Sequence, residues 1–165
     1  MRVPGEHGSI CEGKEMIHEI MDMMQAIPLF DKIAGSQLNV IAAHMNILKL
    51  EEKARLFSEG EKSDYMCFVV SGKLDVIKRA ESGKLVAVST LSRGRSIGEM
   101  ALLDTFPRSA TVVANTPCTL LIISREKFDE ILVQYPAVGI SFLKGIAEML
   151  SLQLRKASGL LADVS

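Results

Sequence analysis

Residues 96–112 read SIGEMALLDTFPRSATV, and this segment brings a glycine, a carboxylate and an arginine together in a short length of chain. Glu99 directly follows Gly98, and Arg108 lies nine residues after Glu99. An apolar patch, residues 100–103, and a turn that closes at Pro107 separate the two charged side chains. Such a pair has two interpretations: a structural salt bridge, or a site for a small ligand that carries both a hydroxyl and an anionic group.

The residue types in this segment suit a ligand with a phosphate and a sugar hydroxyl. The residues after Gly98 suffice for one helical turn, whose first backbone N–H groups are unpaired and can bind an anion. Gly98 has no side chain, so a phosphate can approach the backbone closely. Arg108 can donate two parallel hydrogen bonds to phosphate oxygens, and Glu99 can accept from ribose hydroxyls. These groups predict a nucleotide-like ligand, but spacing alone leaves the ion pair equally open.

Short runs rich in Val, Ile and Leu lie on both sides of this segment, and turns with glycine or charged residues separate them. No helical stretch of similar length lies between the runs, which argues for antiparallel pairing. Strands spaced about ten residues apart are typical of a β-barrel or a double-sheet jelly roll. We therefore predict a barrel over residues 46–123 and expect Arg108, after Pro107, to begin one of its strands. The runs are NILKL, YMCFVVSG, KLDVIKR, KLVAVSTL, RSATVVA and CTLLIIS.

Apolar residues recur at helical spacing before and after the predicted barrel. Helices are expected in residues 14–45, where Ser36 is a candidate N-cap, and in residues 125–163, where Ser124 is another. The overall prediction is an α+β fold, a β jelly roll flanked by N-terminal and C-terminal helices, as a single domain over residues 14–165. Residues 1–13 lack periodicity and are expected to form a flexible tail.

Pro136 opens a long helix that carries two adjoining apolar stripes. A helix that is apolar over so much of its circumference buries more than one side. One side could face the barrel and the other a second copy of the chain, although a single wide core face explains the pattern equally well. The stripes are Leu143, Ala147, Leu150, Leu154, Ala157 and Leu161, and Phe142, Ile146 and Met149.

Charge, cysteine content and the lengths of apolar runs argue against several classes of function. The net charge of −1 gives no overall attraction to nucleic acid or to an anionic membrane. The three cysteines are widely spaced and match neither a disulfide framework nor a common zinc motif. No secretory signal or membrane span is expected, because no apolar run approaches about 18 residues. We therefore expect a protein of the reducing cytoplasm.

The segment GEMALLDTFPRSATV resembles the phosphate-binding cassette of the cyclic nucleotide-binding domain family, whose pattern is approximately G-E-x-A-L followed by P-R-[S/T/A]-A-[T/S]. Both ends of the pattern and the gap between them agree, so the resemblance is specific. It extends from about Ile27 to the end of the chain, through IPLFDKIAGSQLNVIAAHM, EGEKSDYMCFVVSGKLDVIK and CTLLIISREKFDEIL. The cassette corresponds to residues 97–111.

The resemblance implies a role for each matching residue. Glu99 would accept a hydrogen bond from the ribose 2′-hydroxyl, and Arg108 would neutralise the cyclic phosphate. Ser109 would add a hydroxyl to the phosphate or the base. The long C-terminal helix would cover the purine as a lid. Further residues implied to shape the pocket are Gly98, which allows close approach, Met100, Ala101 and Ala110, through their backbone N–H groups, and Val88 and Ser89, beside the base and sugar.

The chain departs from the family pattern at Ile97, where relatives often have an aromatic residue. This difference affects pocket packing more than ligand chemistry. The hydroxyl of Ser109 is compatible with cAMP and in some relatives favours cGMP, so the resemblance implies either ligand with a slight preference for cAMP. The sequence has no nucleophile elbow, Walker loop or paired catalytic carboxylates, so we expect no cofactor, no metal and no catalytic residue.

Three other functions compete with a cyclic nucleotide sensor. A cupin-type metalloenzyme shares the jelly roll, but His7, His18 and His44 all precede the predicted barrel, where a cupin's ligands would lie. A catabolite-activator type regulator would need a DNA-binding segment after the long helix, and none is expected before Ser165, so we expect no direct DNA binding. A ligand-free docking or dimerisation module stays open. The partners expected are a cyclic nucleotide, a second copy through the C-terminal helix, and an unidentified effector.

Overall fold

The computed structural model describes residues 13–164 and contains a β-barrel with helices packed against one side. Two helices precede the barrel, and two follow it. They are α1 (Gly13–Met24), α2 (Gly35–Ala43), α3 (Arg125–Gln134) and α4 (Pro136–Val164). Short 3-10 turns occupy Pro28–Phe30 and Glu99–Leu102, the second of which we call the cassette turn. The predicted tail, residues 1–13, lies outside the described residues except for Gly13, which begins α1.

Within residues 13–164, eight antiparallel strands form two four-stranded sheets. The first sheet has the order β1-β8-β3-β6 and the second β2-β7-β4-β5. This arrangement confirms the predicted jelly roll. The strands are β1 (Asn46–Leu50), β2 (Arg55–Phe57), β3 (Tyr65–Ser71), β4 (Leu74–Arg79), β5 (Leu85–Leu91), β6 (Ser96–Ile97), β7 (Thr111–Ala114) and β8 (Cys118–Ser124).

Strands β3 and β8 are apolar without alternation because both of their faces are buried. Met66 and Phe68 of β3 pack against the helices, whereas Cys67 and Val69 point into the barrel. Strand β8 repeats the pattern, and its Leu121 lies opposite Phe68 in the antiparallel register. One sheet therefore separates two apolar clusters, one inside the barrel and one beneath the helices.

Helix α4 joins the core through its first half and leaves it in its second. Phe142 is fully buried, and its ring centroid lies 5.4 Å from that of Phe128 and 5.7 Å from that of Phe30. Beyond residue 150 the helix is largely exposed, with Leu154 at 69% and Leu161 at 72% exposure. The Phe142 stripe is therefore a core stripe, whereas the Leu143 stripe is partly buried at its start and exposed at its end.

Residues 136–163 of α4 are long and apolar enough, by length and composition alone, to cross a membrane. The expectation of no membrane span rests on the lack of a continuous apolar run, and charged residues such as Lys144 and Glu148 do interrupt α4. Val138, Phe142 and Ile146 lie in the core, so the first half of α4 is packed within this domain.

Two local predictions about helix caps have different outcomes. The Ser124 hydroxyl accepts a hydrogen bond from the Lys127 backbone N–H at 3.2 Å, which confirms Ser124 as the N-cap of α3. Ser36 is not a cap, because α2 begins one residue earlier, at Gly35, and its N-cap position is Ala34, whose side chain has no capping group.

Candidate functional site

Gly98 sits at the start of the cassette turn in a conformation that other residues rarely adopt. Its φ is 81° and its ψ 18°, in the left-handed region that glycine enters without steric cost. A Cβ atom at this position would overlap the Arg108 guanidinium and lie 3.0 Å from the Tyr65 carbonyl oxygen. Glycine is therefore required here by its backbone conformation and by the closeness of Arg108.

Arg108 is buried and held on several sides, with only 7% of the residue exposed. Its Nε donates a hydrogen bond to the Ser63 hydroxyl, and its Nη2 donates to the Tyr65 carbonyl at 2.6 Å. The guanidinium carbon lies 4.0 Å from the centroid of the Phe57 ring and 4.8 Å from that of Tyr65. These contacts fix the plane of the guanidinium and leave Nη1 directed toward Gly98.

The backbone of Arg108 is anchored to the loop before β3. Its N–H donates to the Glu61 carbonyl at 2.8 Å, and its own carbonyl accepts from the Gly60 N–H at 2.8 Å. Strand β7 begins only at Thr111, so Arg108 does not start a strand as expected. It lies instead at the end of the cassette loop, where two non-local hydrogen bonds hold it.

Arg108 has no carboxylate partner within the described part of the chain. Ion pairs there join Lys32 to Glu148, and Glu130 to both His44 and Lys127, but none joins Arg108 to Glu99. Burial lowers the pKa of Arg108, although a guanidinium remains charged in proteins. Burial also raises the pKa of the neighbouring Cys67 thiol to about 12, so this thiol is neutral. The salt-bridge interpretation is therefore wrong, and a buried cation faces a cavity.

Glu99 contributes a half-buried carboxylate to the same cavity. Burial raises its pKa, while its own backbone N–H and the Arg108 cation oppose this rise. A desolvated carboxylate gains more than an exposed one from a hydroxyl that donates to it. Glu99 can thus bind a ligand hydroxyl while Arg108 binds an anionic group.

The cavity around these side chains has a volume of about 550 Å³. Eight of the nine predicted ligand-binding residues line it. Val88 does not, because it is the extra residue of a β-bulge: Ser89 pairs with Val76 and Ala87 with Ile77, which leaves Val88 unpaired and 51% exposed. The predicted residues on the wall are Ser89, Gly98, Glu99, Met100, Ala101, Arg108, Ser109 and Ala110.

Sequence reasoning missed several other residues of the cavity wall. Phe57 comes from β2, far from the cassette in sequence, Arg95 lies just before the cassette, and Gln153 comes from α4. The one sequence signal that could have indicated Gln153 is its polar side chain beside the apolar stripes of α4. Helix α4 therefore reaches the site through this side chain. The remaining wall residues are Val76, Leu91, Ser96, Ile97, Asp104, Phe106 and Pro107.

Backbone groups complete the site. Neither the Ser109 nor the Ala110 amide donates to an acceptor within residues 13–164, and both residues line the cavity. On the outer side of the cassette turn, the Ala101 carbonyl accepts hydrogen bonds from Arg125 Nε at 3.0 Å and Nη2 at 2.5 Å. Since Arg125 is the first residue of α3, it ties the cassette turn to the C-terminal helices.

A buried cation, a desolvated carboxylate and unpaired amides around one cavity indicate a site for an anion with a hydroxyl. A sequence model described as the cyclic nucleotide-binding domain matches residues 47–135, more than half of the chain. The chain belongs to the cyclic nucleotide-binding domain family. The resemblance of the cassette to this family is thereby confirmed, and the cavity lies at the cassette.

Individual relatives of this cyclic nucleotide-binding domain are regulatory proteins. The chain is 31% identical over 109 residues to the cAMP-dependent protein kinase regulatory subunit of Yarrowia lipolytica, covering 66% of this chain and 28% of that protein. It is also 31% identical over 119 residues to the cAMP-activated global transcriptional regulator CRP of Salmonella typhimurium, covering 72% of this chain and 57% of that protein. The chain therefore spans about a quarter to just over half of these relatives.

A solved structure shares the fold over nearly the whole chain. The cyclic nucleotide-binding domain from Methylobacillus flagellatus matches with a TM-score of 0.79 and 24% identity, over 93% of this chain and 86% of that one. This match supports the arrangement of the jelly roll and its flanking helices.

Proposed function

We propose that this domain is a non-catalytic sensor that binds cAMP or cGMP and signals by repositioning α4. The observation that carries the proposal is the buried Arg108 cation, which has no carboxylate partner in residues 13–164 and faces a cavity that Glu99 also lines. A buried charge is costly unless it is paired, so a ligand anion stabilises it. The regulatory relatives support a role in sensing, which we place in the cytoplasm.

Each group has a distinct role in this proposal. Arg108 and the amides of Ser109 and Ala110 hold the cyclic phosphate, which carries a single negative charge. Gly98 allows the phosphate to approach the cassette turn, and Met100 contributes its backbone N–H there. The Ala101 N–H, expected to do the same, instead donates to the Gly98 carbonyl at 3.0 Å. Glu99 accepts from the ribose 2′-hydroxyl. Ser109 adds its hydroxyl to the phosphate or the base, and Ser89 lies beside the base and sugar.

Two contacts connect the ligand to the C-terminal helices. Gln153 brings α4 to the cavity wall, and Arg125 joins α3 to the cassette turn through the Ala101 carbonyl. A ligand that touches both the cassette and Gln153 favours conformations in which α4 lies close to the cavity. Binding then shifts the populations of the α4 positions, and the difference in ligand affinity between those positions sets the size of the shift.

Calorimetric titration of the full chain with cAMP, cGMP and AMP tests the proposed function. The expected result is a binding heat with at least one cyclic nucleotide and an affinity at least ten-fold weaker for AMP. Absence of heat with all three nucleotides would instead support a docking or dimerisation module. Turnover of a nucleotide together with bound metal would support an enzyme.

Replacing Glu99 with glutamine should have opposite effects on stability and on binding, because the buried carboxylate destabilises the fold but contributes to ligand affinity. Burial raises the pKa of Glu99 in the folded state. At pH values above that raised pKa, the ionised carboxylate lowers the free energy of unfolding. This destabilisation disappears below the pKa of the carboxyl in the unfolded chain, about 4.3. Glu99→Gln should therefore increase the free energy of unfolding at pH 7 but not at pH values well below 4. It should also weaken cyclic nucleotide binding by roughly three- to ten-fold, as one hydrogen bond loses its charge assistance.

Urea unfolding of Glu99→Gln at neutral and acidic pH measures the first effect, and calorimetry at pH 7 the second. Glu81→Gln, at an exposed position of the turn between β4 and β5, serves as the control and should change neither quantity. An equal change in unfolding free energy at both pH values would contradict the assigned desolvation of Glu99.

We also propose that the exposed end of α4 forms a homodimer with the same helix of a second copy. Leu154 and Leu161, seven residues apart on one face, are 69% and 72% exposed. Sedimentation equilibrium should show a dimer for the parent chain and at least ten-fold weaker association for the Leu154→Glu, Leu161→Glu variant. Leu85→Glu, at an exposed leucine of β5, should remain dimeric. A monomeric parent chain, or a double variant that associates like the parent, would contradict the dimer.

A further inference from the structure

A second cavity lies on the helical side of the molecule, between α4 and the 3-10 turn that follows α1. Its volume is about 530 Å³, within the range of about 300–1,000 Å³ that is usual for small-molecule sites. It borders the cassette cavity, since Arg95, Ser96 and Gln153 line both. Neither the cassette motif nor the proposed function assigns a role to it.

The deep wall of this cavity is apolar and rigid. Phe68, Ile27 and Ile33 are buried residues of the helical core that also line the cavity. On the opposite wall, α4 comes close to the 3-10 turn at Gly145, where an added Cβ would lie 3.0 Å from a methyl carbon of Leu29. Above these buried residues, Pro28, Leu29, Met149 and Leu152 expose apolar side chains to the cavity, which suits a hydrocarbon chain.

The rim of the cavity is strongly cationic. Lys32, Arg95, Lys144 and Lys156 surround it as exposed side chains, and Glu148 is the one carboxylate on its lining. Glu148 is already paired, because Lys32 Nζ lies 3.6 Å from its Oε2. The rim therefore carries a local excess of positive charge on a chain whose net charge is −1. An apolar base beneath a cationic rim is complementary to an amphipathic anion.

The proposed dimer does not cover this cavity. Leu152 and Lys156 line it, whereas Leu154 and Leu161 belong to the stripe proposed to pair with a second copy. Residues two positions apart in a helix point to different faces, so Leu152 and Leu154 do not share one surface. The cavity is thus accessible to a small ligand in either oligomeric state.

We propose that this second cavity binds a single-chain amphipathic carboxylate of the fatty-acid class. The hydrocarbon chain lies against Leu29, Met149 and Leu152, and the carboxylate lies at the rim among Lys144, Lys156 and Arg95. Burial of the apolar chain favours binding, and the cationic rim selects an anionic headgroup. Binding at this site uses neither Glu99 nor Arg108, so it can occur without a cyclic nucleotide, although α4 contributes to the walls of both cavities.

Methyl NMR of the full chain labelled at its methionine methyl groups tests the proposal with laurate as the probe. Met149 lines the second cavity, and Met100 lines the cassette cavity, so the two sites have separate reporters. Laurate, below its micelle concentration, should shift the Met149 signal saturably and leave the Met100 signal in place. Dodecyltrimethylammonium, with the same chain and a cationic head, should bind at least ten-fold more weakly.

Charge reversal at the rim provides the matched variants. The Lys144→Glu, Lys156→Glu variant should weaken laurate binding at least ten-fold, whereas Lys62→Glu, Lys78→Glu, with the same net charge and exposed sites elsewhere, should bind within two-fold of the parent. The proposal is overturned if the Met149 signal does not shift, if Met100 shifts with it, if the cationic amphiphile binds equally well, or if both double variants bind alike.

Discussion

Replacing Arg108 with alanine should lower the affinity for cyclic nucleotide by roughly ten- to hundred-fold while the domain stays folded. The affinity loss follows from the removal of a charge-assisted contact worth on the order of 1.5–3 kcal/mol. The fold should tolerate the change, because it removes a buried cation that has no carboxylate partner within residues 13–164. Calorimetry measures the affinity, and circular dichroism with urea unfolding reports the fold.

Two further variants serve as controls for Arg108→Ala. Arg95→Ala removes a cation that lines the same cavity but is exposed, so its effect on affinity should be several-fold smaller. Arg108→Lys retains the charge but lacks the planar fork that reaches Ser63, Tyr65 and a ligand together, so it should restore only part of the affinity. A folded Arg108→Ala protein that binds within two-fold of the parent would show that Arg108 does not hold the ligand.

Replacing Gly98 with alanine should damage both stability and binding. The left-handed backbone alone costs a non-glycine residue about 1–2 kcal/mol. The new Cβ would also overlap the Arg108 guanidinium, which stacks on Phe57 and cannot move aside without losing its hydrogen bonds. We expect a destabilisation clearly greater than the backbone cost and a loss of affinity of at least ten-fold, measured by urea unfolding and calorimetry.

Gly83→Ala separates these two contributions. Gly83 has a φ of 83°, close to that of Gly98, but no atom lies within 4 Å of the position its Cβ would occupy. This variant should therefore show the backbone cost alone and bind cyclic nucleotide like the parent. If the two alanine variants lose equal stability and Gly98→Ala binds normally, the close packing of Gly98 against Arg108 has no functional consequence.

The strands of the barrel could be predicted because the residue types within each strand indicate which of its faces are buried. The runs in β3 and β8 are continuously apolar, and both faces of these strands are covered, one by the helices and one by the barrel interior. The N-cap at Ser124 could also be predicted from neighbouring residues, because it depends only on the Ser124 hydroxyl and the backbone N–H three residues later. The cassette turn followed from Gly98 and the short apolar segment after it.

The details of the site depended on contacts between distant residues and could not be predicted. Arg108 was expected to begin a strand, but its backbone bonds to Gly60 and Glu61 hold it in the preceding loop. Its stacking on Phe57 and Tyr65 joins residues more than 40 positions apart, and no spacing rule signals it. The resemblance implies Val88 as a wall residue, but it does not reveal the single-residue bulge in β5 that leaves Val88 unpaired.

A crystal structure of the full chain grown with cAMP or cGMP tests the central claim most directly. We expect an Nη atom of Arg108 within hydrogen-bond distance of a cyclic phosphate oxygen and a Glu99 oxygen within that distance of the ribose 2′-hydroxyl. We also expect the Ser109 or Ala110 amide to donate to the phosphate. A structure in which Arg108 and Glu99 bind each other, with the nucleotide absent from the cassette cavity, would contradict it.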